Sequence, residues 1–144
     1  MKTEEIKHFL DEFEAAATEI EGVECWSARR LQKLFGYSNW ESFKRVIIKA
    51  EEACKNAGEP VENHFPEVKK MIGNNKDAPK LLEDMALTRY ACYLIAQNGD
   101  SKKEEIAFAQ NYFAVQTRRA ELVEQQLLTL EKAREAEKLT KTEE

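Results

Sequence analysis

At 144 residues and 16.6 kDa the chain has room for one domain of ordinary size and not for two. Its 42% hydrophobic content supplies a core, while 34% charged residues, a mean hydropathy of -0.64 and the lack of any apolar run near the roughly 20 residues that cross a bilayer exclude a membrane-embedded chain. The net charge of -5 is unevenly spread, with seven acids against two lysines in residues 1–22 and six basic against two acidic residues in 23–49, so any nucleic-acid surface is confined to a local patch.

The acidic start, Met1-Lys2-Thr3-Glu4-Glu5, lacks the basic and apolar parts of a secretory signal, and a cytoplasmic setting is expected. Cys25, Cys54 and Cys92 are odd in number and far apart, with no Cys-x-x-Cys pair. They suggest neither a disulfide framework nor a zinc finger, and reduced, half-buried thiols are expected.

Ile6, Phe9, Leu10, Phe13 and Ala17 recur at helical spacing, which predicts a first amphipathic helix over 4–19 that ends near Gly22. Acids at its start complement the positive end of the macrodipole. Residues 23–26 are too few for a helix and read as extended, after which Ser27 is placed to cap a short helix over 28–35 that Gly36 terminates. Ser38-Asn39-Trp40-Glu41 has the capping-box form and starts a longer helix, with Trp40, Phe43, Ile47, Ala50 and Cys54 on one face and Gly58-Glu59-Pro60 as its stop.

Residues 68–72 and 81–86 flank Gly73-Asn74-Asn75-Lys76-Asp77-Ala78-Pro79, a turn-forming composition that predicts a small β-hairpin, with a loop and a frayed helix as the rival. Leu87, Tyr90, Ala91, Leu94 and Ile95 then form a helical stripe that Asn98-Gly99 closes. Ser101-Lys102-Lys103-Glu104 reads as a second capping box, opening the longest element. Ile106, Ala109, Phe113, Gln116, Ala120, Val123, Leu127 and Leu130 follow at alternating spacings of three and four, a heptad seam that only Gln116 breaks. A second stripe, Phe108, Tyr112, Val115 and Leu122, makes the first half two-faced and implies its burial. A helix over 102–138 would be about 55 Å long at ~1.5 Å per residue, so its end is expected to protrude or to pair, with a polar, frayed tail from Thr140.

The fold class is therefore mainly α, an α+β chain with one small β-hairpin, a helix-turn-helix-like segment and a long C-terminal helix. Its expected divisions are an acidic helix at 1–22, a core domain at 23–122, and a protruding helix end with its tail at 123–144.

Nothing in the residues points to an enzyme, a cofactor or a metal. There is no phosphate-cradling glycine string, and His8 and His64 lack ligand-spaced neighbours and read as surface or packing residues. Arg29, Arg30 and Lys33 on the first helix and Lys44, Arg45 and Lys49 on the second could contact phosphates of single- or double-stranded DNA. An ordinary helical hairpin with solvated charges is the plainer reading of the same pattern. Arg118 and Arg119 could meet an acidic partner or a nucleic-acid backbone, or simply pair with acids such as Glu121. Ala120, Val123, Leu127 and Leu130 form an association seam, for a homodimer or a partner helix, against the alternative of folding back on the first helix.

The strings CWSARRLQKLFGYSNWESFKRVIIKAEEACKNAG (25–58), NHFPEVKKMI (63–72) and LEDMALTRYACYLIAQNGDSKKEEIAFAQNYFAVQTRRAEL (82–122) closely resemble the DNA-damage-inducible protein D family. The run from Arg89 to Ile95, then Gln97-Asn98-Gly99-Asp100 and Ala114-Val115-Gln116-Thr117-Arg118-Arg119, is its most specific part. The resemblance implies an SOS-induced protein that acts on the RecA recombinase filament on single-stranded DNA without catalysing a reaction. More distantly the organisation is similar to the N-terminal BRO domain of phage antirepressors, which implies a helix-turn-helix followed by a β-hairpin and a DNA-binding role. Members of the first family continue for a substantial C-terminal half, and residues 1–22 show no particular match.

Overall fold

A computed structural model describes the backbone over residues 2–72 and 80–143 and the side chains over 3–69 and 81–140. The turn expected at 73–79 lies outside the described residues. The chain divides into two units, Met1–Gln110 and Asn111–Glu144.

The first unit opens with helix α1 (Lys2–Ala15), which ends earlier than its apolar spacing suggests. Residues read as its last turn form strand β1 (Thr18–Ile20) instead, paired antiparallel with β2 (Val23–Ser27) so that Ile20 faces Val23. Glu21 (φ 51°) and Gly22 (φ 81°) both take left-handed backbone geometry, the condition for a two-residue hairpin turn whose twist matches its strands. Tertiary anchoring fixes the helix end, because Trp26 Nε1 donates to the Phe13 carbonyl at 2.7 Å and the two rings stack with centroids 4.7 Å apart.

Ser27 caps α2 (Ala28–Leu34) as expected, accepting from the Arg30 amide, and Gly36 at φ 78° turns the chain out of it. Helix α3 (Trp40–Asn56) is capped by Asn39 and not by Ser38: Asn39 Oδ1 accepts from the Ser42 amide at 2.8 Å. Both residue types cap well, so the one-position shift lies below what a pattern can distinguish. Phe43, Val46, Ile47, Ala50 and Cys54 of α3 are buried, and the helix packs on the later helix over Arg89–Asn98.

A short helix, α4 (Val61–His64), leads into the expected hairpin of β3 (Glu67–Ile72) and β4 (Lys80–Leu87), with Glu67 opposite Met85. The sheet has the order β1-β2-β4-β3, all antiparallel. Leu87 ends β4 opposite Trp26 and does not begin the next helix; Thr88 caps α5 (Arg89–Asn98) by accepting from the Ala91 amide at 3.2 Å. The three cysteines are free and buried, more so than the sequence suggests.

Helix α6 (Glu104–Glu143) does not use the predicted capping box. Asp100 takes the local amides, with Lys102 N donating to its Oδ1 at 3.0 Å, while Ser101 Oγ pairs with the Gln110 side chain. In the first unit Ile106 and Ala109 are buried. In the second unit α6 continues to Glu143, past the Thr140 where fraying was expected, and Thr140 Oγ1 donates back to the Ala136 carbonyl. There the apolar second stripe is not buried at Val115 or Leu122, and Val123, Leu127, Leu128 and Leu130 are exposed.

Candidate binding surface on helices α2 and α3

The α2–α3 pair is fastened to β4 by a buried carboxylate. Asp84, 2% exposed, accepts from Ser27 Oγ at 2.6 Å, from the Arg29 amide at 3.0 Å and from the Met85 amide at 2.8 Å. A buried carboxylate survives only when its lone pairs are taken up in this way. The turn between the helices is fastened from the other side: Lys103 Nζ donates to the Gly36 carbonyl at 3.2 Å and lies 5.0 Å from the Tyr37 ring centre, and the Asp100 amide donates to the Tyr37 hydroxyl at 3.1 Å. The pair is thus a fixed platform.

The six cations read from the sequence divide on this platform. Arg29 is half-buried, its Nε donating to the Glu83 carbonyl at 2.8 Å and its guanidinium 4.0 Å from the Trp40 ring centre. Lys44 pairs with Glu83 at 2.8 Å. That hydrogen bond raises the Lys44 pKa and holds the Glu83 carboxyl below its ordinary range, so the pair persists at neutral pH and is lost as acid protonates Glu83. The Trp40 indole N–H adds to the Glu83 lowering from beyond bonding distance and has no partner among the described residues. Arg30, Lys33, Arg45 and Lys49 are exposed, and their side chains have no ion pair among the described residues.

On α3 the exposed positions Glu41, Arg45, Ile48, Lys49 and Glu52 recur at helical spacing and form one outer face. Ile48 is 53% exposed between two free cations. The two acids on the same face balance its two cations.

The other candidates lie elsewhere. Arg118 pairs with Glu121 one turn on, at 3.1 Å, as the plainer reading has it, and Arg119 is exposed. Ala120, Val123, Leu127 and Leu130 all lie exposed on the second unit. His8 pairs with Glu12 at the surface, and His64 packs on Tyr90 while bonding Thr88. Among the described residues no His, Cys, Asp and Glu group could hold a metal ion, and no helix is long and apolar enough to cross a membrane.

Sequence reasoning passed over three residues that shape the platform. Glu83 and Asp84 stand in an unremarkable strand, and their partners on α2, α3 and the cap of α2 lie more than 35 positions away in the chain. Arg89 holds Glu14 through two bonds of 3.0 Å and Glu24 through bonds of 3.1 and 3.2 Å, tying α1 and β2 to the start of α5. Its place within the resembling run was the only signal available.

A short capped helix, a glycine-containing turn and a longer helix, mounted on an antiparallel sheet, define an α+β module of helix-turn-helix type. The chain belongs to the BRO family, whose N-terminal domain matches residues 16–114. It is 50% identical over 103 residues to the DNA damage-inducible protein D of Escherichia coli (strain K12), an overlap covering 72% of this chain and 38% of that protein. The chain therefore spans well under half the length of that relative, and the identity bears out the resemblance read from the three strings. No solved structure matches the chain.

Proposed function

We propose that this chain is a regulatory, non-catalytic binding protein of the bacterial DNA-damage response, which lays the outer faces of α2 and α3 on a nucleic-acid backbone. One observation carries the reading: with Lys44 committed to Glu83, the cations Arg30, Lys33, Arg45 and Lys49 remain exposed and unpaired among the described residues, on two consecutive helices fixed to a sheet. Membership of the BRO family and identity to a DNA damage-inducible protein support it.

Four phosphate contacts would give a slope of log affinity against log salt of about -3.6 for duplex DNA. Anisotropy titrations over a range of salt test this. Arg45→Gln combined with Lys49→Gln should flatten the slope by about 2. Binding that ignores salt would sink the reading.

The finer reading, implied by the resemblance to the DNA-damage-inducible protein D family, places the surface on the RecA recombinase filament on single-stranded DNA, with strand exchange as the controlled step. Purified recombinase, single-stranded DNA and this chain should cosediment, and strand exchange should slow. If the chain instead prefers particular duplex sequences and leaves the filament untouched, the antirepressor-type reading takes its place. In either case the exposed seam of Ala120, Val123, Leu127 and Leu130 serves self-association or a partner helix, which sedimentation of the chain alone and with its partner measures.

A further inference from the structure

Arg29 adopts a posture that neither a core ion pair nor a free surface arginine requires. Its amide is held by Asp84 Oδ1 at 3.0 Å, its Nε by the Glu83 carbonyl at 2.8 Å, and its guanidinium lies over Trp40 at 4.0 Å. Its terminal Nη groups make no hydrogen bond or ion pair with any described residue. The side chain's rotamer freedom is therefore lost on folding, while the Nη edge of the guanidinium keeps its donors. Such an edge matches two oxygens of a phosphate, and a pre-ordered one loses less entropy on binding.

The surrounding charges favour an anion there. Glu83, the carboxylate in the field of Arg29, is drawn 2.8 Å from Lys44, and Asp84 is buried with its oxygens occupied by Ser27 and two backbone amides. Beside Arg29 opens a groove of about 680 Å3, lined among others by Arg30, Lys33, Ser27, Gln32 and one carboxylate, the bonded Asp84. Three cations thus border one groove.

We infer that Arg29, held over Trp40, is the rigid fork of a phosphate-binding groove, with Arg30 and Lys33 as mobile cations beside it. This rests on the nucleic-acid reading above and adds to it a residue that the hydrogen-bond pattern alone would class as structural. The ligand is a phosphodiester of a nucleic-acid strand, bound through its backbone oxygens.

Labelled oligo-dT and a duplex of equal length, titrated by anisotropy, test the inference against the variants Arg29→Lys and Arg29→Gln, with urea midpoints recorded for each. Arg29→Lys keeps the charge and loses the fork, so affinity should fall roughly tenfold, the worth of a lost charge-assisted bond. Arg29→Gln should also flatten the salt slope by about 0.9 on the duplex. Trp40 emission gives a readout independent of folding losses, because Trp26 is fully buried: oligo-dT should change the emission of the native chain and not that of Trp40→Phe. If the native chain binds with a steep salt slope while both Arg29 variants bind equally well and Trp40 stays silent, Arg29 is a purely structural residue and the inference falls alone. If the native chain binds neither probe, the nucleic-acid reading falls and takes the inference with it.

Discussion

One helix carries the same alternation of three and four along its length and meets two outcomes. In the first unit Ile106 and Ala109 are 0% and 1% exposed, whereas in the second unit Leu127 and Leu130 are 56% and 55% exposed. Spacing states which side of a helix is apolar; burial depends on what a second element brings to it. Ile106 has such a partner: its Cδ1 lies where a Cβ on Gly99 would stand only 2.8 Å away, so the absence of a side chain at Gly99 makes the close approach. Further along, Arg134 and Glu137 occupy the next seam positions and the apolar stripe stops.

The largest test of this contrast is Ile106→Ala, which empties a filled site and should lower stability by about 2–5 kcal/mol in urea denaturation, at unchanged m value. A thiol assay sharpens it. Burial pushes the pKa of Cys54 and Cys92 upward, and the thiolate is the reactive form. The native chain should therefore react slowly with a disulfide reagent, releasing all three thiols only in denaturant, and Ile106→Ala should accelerate the slow phase. Rapid labelling of the native chain would mean that the first unit opens far more readily than its packing implies.

Polar groups obey the same rule. Asp84→Ala leaves the Ser27 hydroxyl and the Arg29 amide without their acceptor, and should cost about 1–3 kcal/mol by chemical denaturation. Glu121→Ala removes an exposed ion pair with Arg118 and should change the midpoint by less than about 0.5 kcal/mol. Equal effects of the two would erase the distinction between the platform and the distal helix.

What was legible in the sequence divides along this line too. The α2–α3 pair and the end of α5 were readable because Ser27, Gly36, Gly58 and Asn98-Gly99 act on their own neighbours, and the strands of the β3–β4 hairpin because a turn-forming composition separates two short apolar runs. Strand β1 was not, because Glu19 is a poor strand former and the strand exists through its pairing with β2. The candidate surface was readable as six cations but not as four free, one paired and one stacked. Glu83 and Trp40, which make that division, come next to Arg29 and Lys44 only after the fold is complete.

A smaller effect, of opposite sign, is expected at the β1–β2 turn. Glu21 holds a left-handed φ of 51° that asparagine tolerates better, and Asn-Gly is the favoured pair for this turn. Glu21→Asn should therefore raise stability by about 0.5–1 kcal/mol, read as an upward shift of the thermal midpoint. No gain would mean that this edge hairpin already opens before the unit unfolds.

The smallest expected effect is at the seam itself. Leucine and alanine are both strong helix formers, and Leu127 has little buried surface to lose, so Leu127→Ala should move the urea midpoint of the dilute chain by less than about 0.5 kcal/mol. The concentration dependence carries the information. If a second copy covers Leu127 in solution, the cost of the substitution grows with protein concentration, since association stabilises the folded form by mass action. A cost that stays near zero from dilute to concentrated protein would show that the seam is uncovered in the isolated chain, and would leave a different partner as its occupant.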